Sequence, residues 1–113
     1  MTVAGGHGEG YDTDQLKYPH GLFVDDDKTV IIADFGNHRI MQWKKGDTTN
    51  GQVVAGGNGK GNRLDQLNYP CDVLIDKSAD SLIICDRWNQ RVVQWSLRTG
   101  TTQGEILVEN IYC

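Results

Sequence analysis

The sequence predicts an all-β protein made of two consecutive copies of one unit. The 113-residue chain repeats itself with a step of about 51 residues, and a period near 50 is typical of repeat architectures. Its apolar residues fall in short runs rich in β-branched and aromatic side chains, as in strands, and no run has a helical period. Gly, Asp, Asn or Pro bounds each run, which is typical of the turns between strands.

The repeat is visible in matched segments along both halves of the chain. Most of these segments share apolar residues with the same Asp, Arg, Trp or Pro beside them, so the two units have the same scaffold pattern. The clearest matches are Val3-Ala4-Gly5-Gly6 with Val54-Ala55-Gly56-Gly57, Tyr18-Pro19 with Tyr69-Pro70, Asp34 with Asp86, and Arg39 with Arg91.

Four strands are predicted in each unit. In the first unit they are expected at 21–25, 29–33, 39–43 and 51–55. The first two runs are apolar almost throughout, which predicts strands covered on both faces. The third alternates more, as expected nearer an edge. Four short strands per repeat, with the inner ones covered on both sides, is the pattern of a β-propeller blade packed between two other blades.

The two units resemble the NHL repeat, a family that builds β-propellers, commonly of about six blades. The second unit departs from the first where Trp88 replaces Gly36, Gln90 replaces His38 and Asp72 replaces Gly21. These differences fall mostly in loops and leave the predicted fold unchanged. The resemblance is carried by Tyr18-Pro19-His20-Gly21-Leu22-Phe23-Val24-Asp25, by Val30-Ile31-Ile32-Ala33-Asp34-Phe35-Gly36-Asn37-His38-Arg39-Ile40, and by Asp86-Arg87-Trp88-Asn89-Gln90-Arg91-Val92.

The predicted organisation is two four-stranded antiparallel NHL-type blades and one orphan N-terminal strand, in residues 2–4, that matches the last strand of a blade. The last strand of the second blade is expected at 105–108. The predicted boundaries are 1–19 for the orphan strand and an inter-blade linker, 20–57 for the first blade, 58–70 for a second linker, 71–109 for the second blade and 110–113 for a tail.

Two blades cannot close a ring, since propellers typically have four to eight. A blade of five-residue strands presents roughly 320 Å² per face, and covering one face stabilises by on the order of 8 kcal/mol. We therefore expect a fragment of a longer propeller, because the chain begins inside a repeat. The alternative is self-association, in which three copies would supply six blades.

Composition narrows the class of partner. The formal net charge is −4 with both signs interspersed, so no basic field favours nucleic acid or an anionic membrane. There is no apolar run of bilayer length and no signal peptide. The three cysteines do not fall at metal-site spacings, and Cys85 is predicted to be a small buried thiol. None of this indicates a cellular compartment.

Residues identical in both units are predicted to be structural. An Asp and an Arg five positions apart can form an ion pair across a short turn and stabilise it. A Trp at the end of the third strand suits packing of the core or its edge. These structural residues are Asp34, Arg39, Asp86, Arg91, Trp43 and Trp95.

No catalytic residue, metal or cofactor is predicted. The glycine-rich stretches at 5–10 and 56–61 lack the Lys-Ser/Thr ending of a phosphate-binding loop. Residues 25–27, three aspartates, lack the alternating ligands of an EF-hand. The three histidines are not repeated in the second unit. Amidating-lyase propellers, which are related to the family, hold a metal at the ring centre, so a metal-dependent lyase or hydrolase stays the minority interpretation.

Candidate ligand-binding residues lie where the two units differ. In an antiparallel blade, the loop between strands two and three and the linker to the next blade lie at the same end, and loops on a rigid scaffold commonly carry binding residues. The alternative is that these are ordinary solvated loop residues. The candidates are His20, Phe35, His38, Arg87, Trp88 and Gln90.

The predicted function is a noncatalytic scaffold or recognition module that binds a protein or other ligand through this loop face. A protein partner is preferred to nucleic acid because the face lacks clustered Lys and Arg. The resemblance also implies alternatives, namely an RNA-binding NHL domain or the substrate-recognition domain of a ubiquitin ligase.

Overall fold

The computed structural model describes residues 10, 15–44, 46, 50–98 and 101–111. These residues form two four-stranded antiparallel sheets, which confirms the predicted all-β class and the four strands per unit. The predicted orphan strand at 2–4 lies outside the described residues. The strands are β1 (Pro19–Val24), β2 (Val30–Asp34), β3 (Arg39–Trp43), β4 (Gln52–Gly56), β5 (Pro70–Asp76), β6 (Ser81–Asp86), β7 (Arg91–Ser96) and β8 (Glu105–Glu109).

Each sheet follows the chain as a meander, with strand orders β1-β2-β3-β4 and β5-β6-β7-β8. A single turn of 3-10 helix joins the second strand to the third in each sheet, at Phe35–Asn37 and at Arg87–Asn89. Both sheets begin one residue before the predicted blade boundaries at 20 and 71. This is the topology of two successive propeller blades, which we call blade 1 and blade 2.

The main core lies between the two blades. Ile31, Ala33 and Ile40 of blade 1 are fully buried against Leu82 and Ile84 of blade 2. Because side chains alternate along a strand, these residues define one face of each sheet. The remaining buried members of this core are Ala55, Leu67, Val73, Val93 and Trp95.

The opposite face of blade 1 carries a second buried cluster. Val30, Ile32, Met41 and Trp43 are at most 7% exposed, and Leu16 packs against them. Val30 and Ile32 are the repeat equivalents of Leu82 and Ile84. The same face of the sheet is therefore buried in both blades, in the outer cluster of blade 1 and in the joint for blade 2.

The inner strands contact each other across the joint between the blades. β1 lies against β5, and both strands contain a bulge near their start, at Gly21 in β1 and one repeat position earlier, at Cys71, in β5. Gly21 has φ of +44°, and a Cβ added there would stand 2.7 Å from the Cα of Asp72. Glycine therefore permits both the left-handed backbone and the close approach of the two blades.

Two predictions about burial were wrong. β1 was expected to be covered on both faces, but it is an edge strand in which Leu22 is 61% and Val24 is 51% exposed, because only its other face meets β5. β3 was expected nearer an edge, but it lies between β2 and β4 and is buried at every position.

The duplicated tryptophans are both buried. Trp43 is 2% exposed in the outer cluster of blade 1, and Trp95 is 4% exposed in the joint between blades.

Cys85 is half-buried and disulfide-bonded, so the prediction that it is a buried thiol was wrong. None of the helical segments that the structure describes has the length and apolar character needed to span a bilayer.

Candidate binding site

A buried hydrogen-bonding network fixes the loops at one end of blade 2. Arg91 Nε donates to Asp86 Oδ2 at 2.8 Å, and Asn89 Nδ2 donates to the same oxygen at 2.8 Å. The backbone N–H of Asn68 donates to Asp86 Oδ1 at 2.7 Å. The guanidinium of Arg91 also donates to backbone carbonyls of the preceding linker, those of Asn62, Arg63 and Gln66.

Blade 1 repeats this Asp–Asn–Arg network. Arg39 Nε donates to Asp34 Oδ2 at 2.7 Å, and Asn37 Nδ2 donates to it at 2.9 Å. The Lys17 backbone N–H donates to Asp34 Oδ1 at 2.7 Å. The ion pairs expected between Asp34 and Arg39 and between Asp86 and Arg91 are therefore formed.

The networks hold each 3-10 turn against the linker that precedes its blade. The N–H of Gly36 donates to the carbonyl of Lys17 at 2.7 Å, and the N–H of Trp88 donates to that of Asn68 at 3.0 Å. The turns and linkers of both blades thus lie at one end of the sheets. We call this end, formed around Phe35–Asn37, Arg87–Asn89, Lys17 and Asn68, the linker-side rim.

Five ring side chains meet on the linker-side rim. The ring centroids of His20 and Phe35 are 4.3 Å apart, and those of Phe35 and Tyr69 are 4.8 Å apart. Tyr69 also contacts His38 at 4.4 Å and Trp88 at 5.1 Å. This aromatic cluster, composed of His20, Phe35, His38, Tyr69 and Trp88, spans both blades, and Tyr69 is its centre.

Tyr69 is held by its backbone as well as by its ring. Its φ is 52°, an uncommon left-handed conformation for a residue other than glycine. Its N–H donates to Nδ1 of His38 at 3.0 Å, so His38 is neutral with its proton on Nε2. Burial, followed by the nearby charge of Lys60, lowers the pKa of His38 below its ordinary value.

The exposed part of the cluster is Trp88, whose side chain is 64% exposed. His20 and Arg87 are also exposed beside it. Exposed aromatic and arginine side chains are the residues that most often dominate binding energy at interfaces. The rim therefore presents the exposed ring of Trp88 on a backbone that the buried hydrogen-bonding networks hold in place.

The structure brings four of the six predicted binding residues into one cluster, namely His20, Phe35, His38 and Trp88. Arg87 is adjacent to them as the first residue of the second turn. Gln90 ends that turn at the position equivalent to His38, and its described hydrogen bonds are made by its backbone.

Sequence reasoning missed Tyr69. Tyr18 matches it in the first unit, and identity between the units favours a structural role. Its backbone conformation is repeated at Tyr18, where φ is 50°, but among the described residues its ring contacts are not repeated there. No local signal distinguishes Tyr69 from Tyr18, because its ring contacts form with the turn of the preceding blade.

Other chemistry is sparse at the rim. Among the described residues, no three His, Cys, Asp or Glu side chains group closely enough to hold a metal ion. Cys71 has a free thiol, and burial raises the pKa of that thiol despite the opposing charge of Arg87. Such a thiol is mostly protonated at neutral pH and is a poor nucleophile.

An open cavity of about 790 Å³, lined by Ser81, Gln94 and Arg98 among others, lies at the other end of blade 2.

The comparison with known families agrees with the fold and with the repeated turn. Residues 16–43 match the model of the NHL repeat. The matched segment runs from Leu16 through β1, β2 and the first 3-10 turn to the end of β3, and so includes Asp34, Asn37 and Arg39. Blade 2 repeats its strand order, its turn and its buried network. Blade 1 is therefore similar to an NHL repeat over residues 16–43, and blade 2 has the same strand order.

Proposed function

We propose that the chain is a noncatalytic propeller scaffold that binds a protein partner through the aromatic cluster of the linker-side rim. The observation that carries this proposal is the exposure of Trp88 on a cluster whose other rings pack at 4.3–5.1 Å. An indole ring that is mostly exposed is available to contact a partner. Here the outer surface of Trp88 faces solvent, and Arg87 stands beside it.

Preorganisation of the rim supports binding. Each turn is held by a carboxylate that is fully buried and by an arginine that is 5% exposed. Little conformational entropy remains to be lost there when a partner binds, so more of the contact energy is available for affinity. Both blades contribute rings to the aromatic cluster, so the shape of the proposed binding surface depends on how the two blades pack.

The scaffold part of the proposal rests on the flank of blade 2 that faces away from blade 1. Ile83 and Val92 lie on this flank and are half-buried, whereas their equivalents in blade 1, Ile31 and Ile40, are fully buried. We propose that a further blade covers this flank as blade 2 covers blade 1. That blade comes either from the parent chain or from a second copy that joins a ring.

The binding role can be tested by comparing cross-linked partners of matched variants. The double variant Arg87→Ala/Trp88→Ala removes the exposed contacts, and Lys77→Ala, at the opposite end of the blade, is the control. We expect at least one protein that cross-links to the wild type and to the control to be lost from the double variant. An unchanged set of cross-linked proteins in all three samples would overturn the proposal.

A further inference from the structure

We propose that the segment recognised at the linker-side rim is an acidic peptide, with one apolar side chain that packs on Trp88 and flanking carboxylates that meet Lys17, Lys60 and Arg87. This inference rests on the proposed function and adds the chemical class of the partner. It is drawn from the charges around the aromatic cluster and from the spacing of its rings.

Three cations border the cluster, and none has an ion-pair partner within the described part of the chain. The charges of Lys60 and Lys17 both act on His38, and that of Arg87 acts on Cys71. The two carboxylates of the buried networks, Asp34 and Asp86, are paired with arginines and so leave little net negative charge at the rim.

Exposed acidic residues are concentrated elsewhere. Asp26 and Asp27 lie in the turn between β1 and β2, and Asp80 lies in the turn between β5 and β6. These turns are at the end of the sheets opposite the rim.

Among the described residues, two exposed carboxylates lie at the rim end of the sheets. Asp72 accepts a hydrogen bond at Oδ1 from the N–H of Val73, and Glu109 pairs in strand register with Arg91 at the start of β7. A chain of net charge −4 thus has a border of cations around the aromatic cluster, in which Trp88 is 64% exposed, and complementary charge selects an anionic partner.

The spacing of the rings favours a peptide over a nucleic acid strand. A base inserted between two rings needs them about 7 Å apart, twice the distance of van der Waals contact. The centroids of the ring pairs are 4.3–5.1 Å apart and the rings are tilted by 34–77°. The rings therefore pack against each other and leave no room for a base between them. The exposed rings of the cluster are Trp88, which is 64% exposed, and His20 at its other end. One apolar anchor between charged contacts is what the rim can accept.

The test uses two series of fluorescein-labelled peptides, titrated against the wild-type chain by fluorescence anisotropy. Both series consist of eight-residue peptides with a central Leu or Phe. One series places Glu at varied flanking positions, and the other replaces every Glu by Gln. We expect the best Glu peptide to bind about tenfold more tightly than its Gln counterpart, a preference that weakens as salt rises.

Matched variants locate that preference on the rim. In Lys60→Gln/Arg87→Gln the ratio between the two series should fall toward one. In Trp88→Ala both series should weaken together. Arg98→Gln, an exposed cation at the opposite end of blade 2, should leave both affinities unchanged.

The outcomes separate this inference from the proposed function. Equal binding of the two series that still depends on Trp88 would overturn the acidic class and leave the binding role in place. Tighter binding of a labelled single-stranded RNA 12-mer than of any peptide would overturn the acidic class and the choice of a protein partner together. Failure of every peptide to bind would also overturn the inference, while the cross-linking experiment would still decide the binding role.

Discussion

Asp86 connects the linker, the turn and the third strand of blade 2 through one carboxylate. Both of its oxygens accept hydrogen bonds, and its side chain is fully buried beside an Arg91 side chain that is 6% exposed. A buried pair of this kind need not add much net stability. Removal of one member is costly because the other charge is left buried and uncompensated.

Asp86→Asn is therefore expected to lower the free energy of unfolding by about 3–5 kcal/mol. The measurement is urea unfolding followed by circular dichroism. Asp65→Asn is the matched control, because it breaks an Arg–Asp pair whose side chains are 66% and 36% exposed and should cost at most about 1 kcal/mol. Similar losses in the two variants would contradict the role assigned to the buried network.

His38 should make stability depend on pH. Its pKa is lower in the folded chain than the ordinary value of 6.5, so the unfolded chain binds the proton more readily. The contribution of neutral His38 is thus present above pH 6.5 and is lost as the pH falls below that value. Lys17 and Lys60 act in the same direction, whereas Asp34 and Asp86 oppose them.

This dependence can be isolated with His38→Gln, which places in blade 1 the residue that blade 2 has at the equivalent position. The loss of stability between pH 7.5 and pH 5.5 should be smaller in His38→Gln than in the wild type. The measurement is urea unfolding at both pH values. An equal loss in the two proteins would show that His38 does not titrate differently on folding.

At the scale of single residues, the sequence predicted an ion pair within one blade but did not predict the ring contacts between blades. The spacing of Asp34 and Arg39 predicted the ion pair that is found, because a five-residue turn brings two such side chains together. The central place of Tyr69 could not be predicted in the same way. It depends on how the linker of one blade lies against the turn of the blade before it, which is a contact between units and leaves no local pattern.

Among the elements, the contact of β1 with β5 sets the distance between the blades. Gly21 occupies the bulge of β1 where the two strands approach most closely. In β5 the unpaired residue of the bulge is Cys71, whose φ is not left-handed, so a bulge alone does not require glycine. The requirement at Gly21 comes from the neighbouring blade.

Gly21→Ala should accordingly destabilise the chain by about 2–4 kcal/mol, because its Cβ meets backbone atoms and its φ is left-handed. Gly59→Ala is the control, since φ is +81° there but the nearest atom stands 3.8 Å away. That control should cost about 1 kcal/mol. Thermal unfolding of both variants measures the difference, and equal shifts would contradict a close contact between the blades.

Strand existence was predictable from sequence, and strand exposure was not. Short β-branched runs bounded by turn residues predicted the four strands of blade 1 and the last strand of blade 2 to within about two residues. The apolar character of β1 predicted burial on both faces, yet Leu22 is 61% exposed. Sequence pattern indicates a strand built to be covered, but it does not show whether the covering element is present.

The whole molecule has one joint between the two described blades and, on blade 2, a flank with exposed apolar side chains. At the joint, Ile31 and Ile40 are fully buried and Ala55 is 2% exposed. On the flank of blade 2, the apolar strand positions Leu74 and Val108 are 48% and 46% exposed. Apolar side chains grouped on one face of a sheet are typical of a surface that another element covers.

The central claim, that this chain is a pair of propeller blades with a flank built for a further blade, is tested most directly by light scattering behind a sizing column, with circular dichroism on the eluted material. The account predicts that the wild type elutes above the monomer mass or aggregates. It also predicts that Leu74→Asp/Val108→Asp elutes as a β-rich monomer. A wild-type chain that is a monodisperse, cooperatively folded monomer at every concentration, indistinguishable from the double variant, would contradict it.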